Sequence, residues 1–355
     1  MNKLVRSLLP VVLALPLAIA AGCSSSTNEG TPGGTAAPAA SAAASTAPSA
    51  AAAGASTVYP LTIENYTNNG EGTPWQAKKQ IFNKAPARVV ANTQGAGELM
   101  VKLGLTDKVA GVAALYGAGD PAVAEEFKKL PVISQNYASK ELVVGASPDL
   151  VMGRADLFAD ADWGTGTVPG LNELGIKTYI QHTSVKGATL ESLYKDIEEL
   201  GQIFDVQSRA SGYITELKKR ADALKAKSAG IQKTFAYVSD GGNGAIAVYS
   251  GNIDTFAGDV LRLVGLTNSY ADVTGNISKE QLIATNPDVL LISKYSGGID
   301  PEISKKAFYA DSTLQNIKAI QNKAIYVIDF NQFWGYSYSI LDGAEKLAAD
   351  MAANK

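Results

Sequence analysis

From Val58 onward, short apolar runs alternate with stretches in which apolar residues recur every three or four positions. The short runs are brief and rich in β-branched residues, so the alternation predicts βαβ units and mostly parallel sheets. In the first half strands are expected near 87–92, 109–113, 149–153 and 177–182. In the second half they are expected near 233–239, 245–249, 288–292 and 325–328. Asp120-Pro121 and Asp300-Pro301 each put an N-cap before a proline at the first helical position, and Gly175 supplies a C-terminal stop after Asn172 to Leu174. Between the halves, apolar residues at 206, 210, 213, 214, 217, 221 and 224 mark one face of a helix over 206–227, closed by Gly230. At 1.5 Å per residue this rod is about 33 Å long, enough to run the height of both halves.

The two halves repeat each other. Residues 139–152 read SKELVVGASPDLVM and residues 278–291 read SKEQLIATNPDVLL, in register. Each copy describes a serine-capped short helix, a proline break and a buried strand. A weaker echo pairs Leu103 to Asp107 with Val264 to Asn268.

The N-terminus has a different texture. Lys3 and Arg6 precede an apolar run, Leu8 to Ala21, interrupted by Pro10 and Pro16. That run is too short and too broken to span a hydrocarbon layer of roughly 30 Å, and it reads as a signal peptide over 1–22. Ala20-Ala21-Gly22-Cys23 resembles the lipobox of bacterial lipoproteins, in which the cysteine becomes the lipidated N-terminus; Ala20 stands where leucine is usual. A plain signal peptide with an incidental cysteine is the other reading. In residues 24–57 all but Asn28 and Glu29 are Ala, Ser, Thr, Gly or Pro. Residues 23–57 are therefore expected to form a lipidated, disordered tether with roughly 30 Å of reach, holding the body at the outer face of the cell membrane.

Composition removes several functions. With 355 residues, 46% hydrophobic, and 31 basic against 34 acidic side chains, there is core enough for two domains and no basic surface for nucleic acid. One cysteine and one histidine exclude an intrachain disulfide and a Cys/His zinc site. No Gly-x-Ser-x-Gly elbow or Walker loop is present, and Gly242-Asn243-Gly244 falls between two strands as a hairpin turn. Asp156, Asp160 and Asp162 lack the glycine and glutamate spacing of a calcium loop and read as solvated. His182, at a strand end, reads as packed more readily than as a metal ligand.

KAPARVV (84–90), PDLVMGR (148–154), the central helix and SKEQLIATNPDVLL, in this order, resemble the ferric-siderophore and vitamin B12 group of ABC-importer substrate-binding proteins over about residues 80–350. The resemblance implies an α/β fold of two Rossmann-like lobes joined by a single long interdomain helix, the class III periplasmic-binding-protein fold. The lobes would be 58–188 and 231–355, with helices over 189–230. It also implies that Glu141 and Glu280 dock on arginines of an ABC permease dimer; read from the residues alone, each glutamate equally suits a helix N-terminus. The chain would act as an extracytoplasmic monomer that carries no cofactor and performs no catalysis, and its ligand would be a small-molecule iron chelate.

Ligands of such sheets sit beyond the carboxyl ends of strands. The candidates there are Gln94, Tyr116, Arg154, Asn252, Tyr295, Trp334 and Tyr336, with Trp163 and Tyr338 adding to an aromatic rim. Relatives by resemblance that bind ferric catecholates use an arginine at the Gly-Arg step matched by Arg154, together with others from the second lobe. Here 250–256 supplies none, and the remaining five arginines read as signal, strand-entry or helix-surface positions. A single cation among aromatics suits a low-charge cargo, which favours a ferric hydroxamate or mixed siderophore. Cobalamin, haem, or an enzyme on the same two-lobe scaffold are the alternatives.

Overall fold

The computed structural model describes residues 56–68, 73–240, 246–249, 255–273 and 277–354. The signal segment, Cys23, the tether up to Ala55, the Gly242–Gly244 turn and Asn252 lie outside the described residues. The body begins with an antiparallel hairpin of β1 (Leu61–Thr67) and β2 (Gln76–Phe82). β3 (Val89–Ala91), β4 (Val109–Val112), β5 (Leu150–Gly153) and β6 (Lys177–Ile180) form an all-parallel sheet in the order β4-β3-β5-β6. A second sheet holds β7 (Lys233–Asp240), β8 (Ile246–Tyr249), β9 (Leu266–Asn268), β10 (Val289–Lys294) and β11 (Ile325–Asp329). Its order is β11-β10-β7-β8; β9 runs parallel to the start of β7, and β8 antiparallel to its end. The two sheets are separate.

Side-chain alternation explains why each sheet is buried on both faces. Val89, Ala91, Leu150 and Met152 join one large core, whereas Val90 and Val151 face a smaller one with Phe158 and Leu171. The second sheet divides likewise: Val289 and Leu291 point to the large core, Leu290 and Ile292 to another. This period-two sorting makes the strands read as continuous apolar runs, as expected for covered parallel strands. The large core is shared by both sheets and contains Ala210, Tyr213, Leu217, Ala221 and Leu224 of the Gln207–Lys227 helix.

That helix is tied at both ends. Arg209 donates to the Leu103 carbonyl on the first half, and Arg220 pairs with Glu345 and Asp342 of the C-terminal helix Ile340–Ala353. It stops at Lys227, the expected end, with Ser228 as cap and Gly230 two residues further. A companion helix, Leu190–Ile203, packs beside it. The junction between the two receives Thr57: its hydroxyl donates to the Gln202 carbonyl at 2.6 Å and accepts from Gln207 at 2.6 Å. The tether's last threonine is thereby fixed at a helix end, its own N–H donating to the Asp205 carboxylate, which corrects the expectation of disorder through 57.

The internal repeat is realised. Helices Lys140–Gly145 and Lys279–Thr285 follow Ser139 and Ser278, and Ser278 makes a capping box with Gln281. The weaker echo is realised too, since Gly104 and Gly265 each follow a helix with φ of +69° and +77°. Asp300 caps Pro301–Ala310 as expected. Asp120 does not cap a helix: its carboxylate serves the Ala122 amide and the Tyr338 hydroxyl, and helix begins only at Ala124.

Candidate functional site

The carboxyl ends of the parallel strands of both sheets open into one slot of about 450 Å³. Arg154 follows β5, and Ser184 and Lys186 follow β6. From the second half, Tyr295 follows β10, while Phe330, Trp334 and Tyr336 follow β11. Tyr237 of β7 forms part of the wall, its ring 4.7 Å from that of Trp334. Trp75, immediately before β2, completes the wall from the hairpin.

Arg154 is held from behind. The Asn92 amide accepts from the Arg154 N–H at 2.8 Å and donates to its carbonyl at 3.2 Å, fixing the backbone where β5 ends. In front, the guanidinium pairs with Asp156 at 3.1 Å and lies 5.2 Å from the Tyr336 ring centroid. Tyr336 adopts φ +53°, a left-handed conformation costly for a bulky residue, so the loop presenting it is over-determined by its surroundings. Arg154 Nε and Trp334 Nε1 are buried without an acceptor among the described residues. Two orphan N–H donors on one slot call for acceptor oxygens from elsewhere.

Beneath the slot the halves meet in a polar seam. Glu98 accepts from Gln94 at 2.9 Å, from the Asp120 amide at 3.1 Å and from Asn331 of the second half at 3.3 Å. Burial pushes its pKa up to about 7, against the opposing pull of these hydrogen bonds. The Ala118 amide donates to Asp329 at 2.9 Å and Tyr338 to Asp120 at 2.5 Å. Gly117 is needed here because a Cβ would sit 2.1 Å from that of Asn331.

The slot brings together Arg154, Tyr295, Trp334 and Tyr336 from the sequence candidates. Gln94 is buried, with its amide committed to Glu98 and the Gly117 N–H; it belongs to the seam and not the slot. Tyr116 stands between the Tyr137 and Phe330 rings, at 5.2 and 6.3 Å, and its carbonyl accepts from the Ser296 amide. It braces the wall from behind. Tyr338 is buried on the seam. Trp163 lines an adjoining compartment, and Asn252 lies outside the described residues. His182 is no slot ligand: its ring nitrogens bond Tyr66 at 2.9 Å and Glu199 at 2.8 Å, beside buried Asp196, whose pKa burial raises to about 6.

Asp156, read as a solvated carboxylate, is exposed as expected and also lines the slot, paired with Arg154. Trp75, Tyr237 and Lys186 were not anticipated. Tyr237 shares strand parity with buried Phe235, the one pattern that marks it as inward. Trp75 precedes the first expected strand, and only the hairpin's docking brings it in. Among the described residues no group of three or more His, Cys, Asp or Glu converges to hold a metal ion, and no helix is long and apolar enough to cross a membrane.

Glu141 and Glu280 are both exposed at the second position of the repeat helices. Both have a pKa below the ordinary carboxylate range, Glu141 chiefly through the Ser139 hydroxyl and Glu280 through its own backbone N–H. The helix-end reading is thus realised, and both carboxylates stay ionised and open to solvent.

Residues 89–332 match the family of periplasmic binding proteins, and the chain belongs to that family. It is 23% identical over 299 residues to an uncharacterised ABC transporter substrate-binding lipoprotein (YvrC) of Bacillus subtilis, covering 82% of this chain and 85% of the relative. A vitamin B12-binding protein of Vibrio parahaemolyticus is 26% identical over 225 residues, covering 61% and 74%. A solved structure of an ABC-type Fe3+-hydroxamate transport system from Saccharomonospora viridis is 25% identical with a TM-score of 0.65, covering 83% and 99%. The fold is the two-lobe class III arrangement expected from the sequence, and the protein is a solute-binding component of an ABC transporter.

Proposed function

We propose that this solute-binding protein captures a ferric siderophore of hydroxamate or mixed type outside the cytoplasm and hands it to a permease. The observation that carries the reading is the pair of orphan donors, Arg154 Nε and Trp334 Nε1, set in an aromatic slot. Hydroxamate oxygens bound to iron are acceptors with reduced charge, and aromatic walls favour the surrounding aliphatic chain. The fixed charges at the slot are Arg154, Lys186 and Asp156, too small a cationic excess to balance a triply anionic tris-catecholate removed from water. Capture requires no bond to be made or broken. The cargo stabilises the closed pairing of the halves, and the permease favours the open one.

Glu141 and Glu280, ionised and exposed on the two repeat helices, would meet arginines of the two permease subunits, with exposed Leu142 beside Glu141. Lipid on Cys23 would keep the monomer at the membrane surface. Titrating the protein's tryptophan fluorescence with ferrioxamine E, a ferric tris-catecholate, cobalamin and haem tests the cargo. Saturable quenching by the hydroxamate with no response to the catecholate is expected. A response to cobalamin or haem alone would move the assignment to that ligand.

A further inference from the structure

Beside the slot lies a larger compartment, of about 640 Å³. It is built wholly from the first half: Asn68 and Trp75 of the hairpin on one side, Phe158 and Trp163 of the loop after β5 on the other. Trp75, Asp156 and Lys186 line both spaces, so the two adjoin along a shared wall. The compartment's walls are mainly apolar, with Trp75, Phe158 and Trp163 supplying aromatic faces. Trp163, 41% exposed, presents a large apolar surface there that no core residue covers.

Asn68 supplies an independent indication. It is only 8% exposed, yet its Oδ1 has no donor among the described residues. A buried acceptor left unsatisfied is costly, and the polar partner it lacks must be an N–H or O–H. The polarity is opposite to that of the slot, where the orphan atoms are donors. Two adjoining spaces of opposite hydrogen-bonding character describe a cargo with two chemically different parts.

Resting on the siderophore reading above, we propose that the compartment under the hairpin is a second subsite, which takes an apolar arm of the cargo ending in an N–H or O–H donor. The head of the chelate, rich in acceptor oxygens, lies on Arg154 and Trp334. The arm passes between Trp75 and Asp156, stacks on Trp163 and donates to Asn68 Oδ1. At the shared wall Asp156 is already paired with Arg154, which leaves Lys186 to oppose a positive charge on the arm, so a neutral amide is held better than an ammonium.

Three ferric trihydroxamates with closely related heads test this: ferrioxamine E, which is cyclic and armless, ferrioxamine B, whose arm ends in an ammonium, and its N-acetyl derivative, whose arm ends in an amide. Dissociation constants are measured by calorimetry for the wild-type protein, Asn68→Ala and Trp163→Ala. In the wild type the N-acetyl derivative should bind tightest of the three. Each substitution should weaken it about ten-fold, the worth of one hydrogen bond or one stacked face, and leave ferrioxamine E unchanged. Unchanged binding of the armless chelate also shows that the variants are folded. Equal effects on armed and armless chelates, or none on either, would overturn the subsite while leaving the slot assignment intact. If none of the three binds the wild type, the siderophore reading itself fails and the subsite falls with it.

Discussion

Trp334 lines the slot with 9% of the residue exposed, and its buried indole N–H has no acceptor among the described residues. An orphan buried donor costs on the order of 1–3 kcal/mol, so evolution of a stable fold alone would not retain it. Trp334→Phe keeps most of the ring contact with Tyr237 and deletes the donor. Thermal unfolding should therefore show stability equal to or above wild type, while hydroxamate affinity falls about ten-fold. A large loss of stability with unchanged affinity would make Trp334 a packing residue only. Gln94 shows why single residues are hard to assign from sequence. It stands just past a strand end, where ligands bind, but Glu98 one helical turn later draws its amide inward. Arg154 was legible because the buried run PDLVMG leaves few other places for the next side chain. Its partner Asp156 was not, because nothing in a loop sequence states which carboxylate turns toward a guanidinium.

Among the elements, the parallel strands were plain in the sequence because both faces are covered and alternation is replaced by unbroken Val, Leu and Ile. The hairpin was not. LTIENYT and QAKKQIF are mostly polar, and β1 is fastened by a side-chain amide: Asn65 donates to the Ile180 carbonyl at 3.0 Å and accepts from its N–H at 2.8 Å, sealing the open edge of β6. Periodicity does not register a strand secured by polar side chains. The helices of the internal repeat were legible as elements, and their purpose is a separate question. Glu141→Lys with Glu280→Lys should abolish ATP-driven uptake in cells carrying the permease and leave ligand affinity unaltered, since neither residue lines the slot. Uptake at the wild-type rate would restrict both glutamates to capping.

At the scale of the molecule, the shared core and the polar seam join two otherwise separate sheets. The seam is pH-dependent through Glu98, whose pKa of about 7 in the folded protein exceeds the ordinary 4.5. A raised carboxyl pKa means that the folded state holds the proton more tightly between those values. The stabilisation from the neutral group is therefore complete below about 4.5 and declines as pH rises to about 7, by at most about 3 kcal/mol. Asp196, with a pKa of about 6 against 3.8, acts in the same direction. Denaturant unfolding of wild type and Glu98→Gln from pH 4.5 to 7.5 should show the difference between them drifting in favour of the variant as pH rises. A constant difference would remove Glu98 from the account.

The slot between the halves is the centre of the account, and calorimetric titration of ferrioxamine E into the wild type and into Arg154→Ala/Trp334→Ala addresses it most directly. One saturable site per chain is predicted for the wild type, with binding at least a hundred-fold weaker in a double variant that still unfolds cooperatively. Equal affinity in the two proteins would place the cargo somewhere other than this slot.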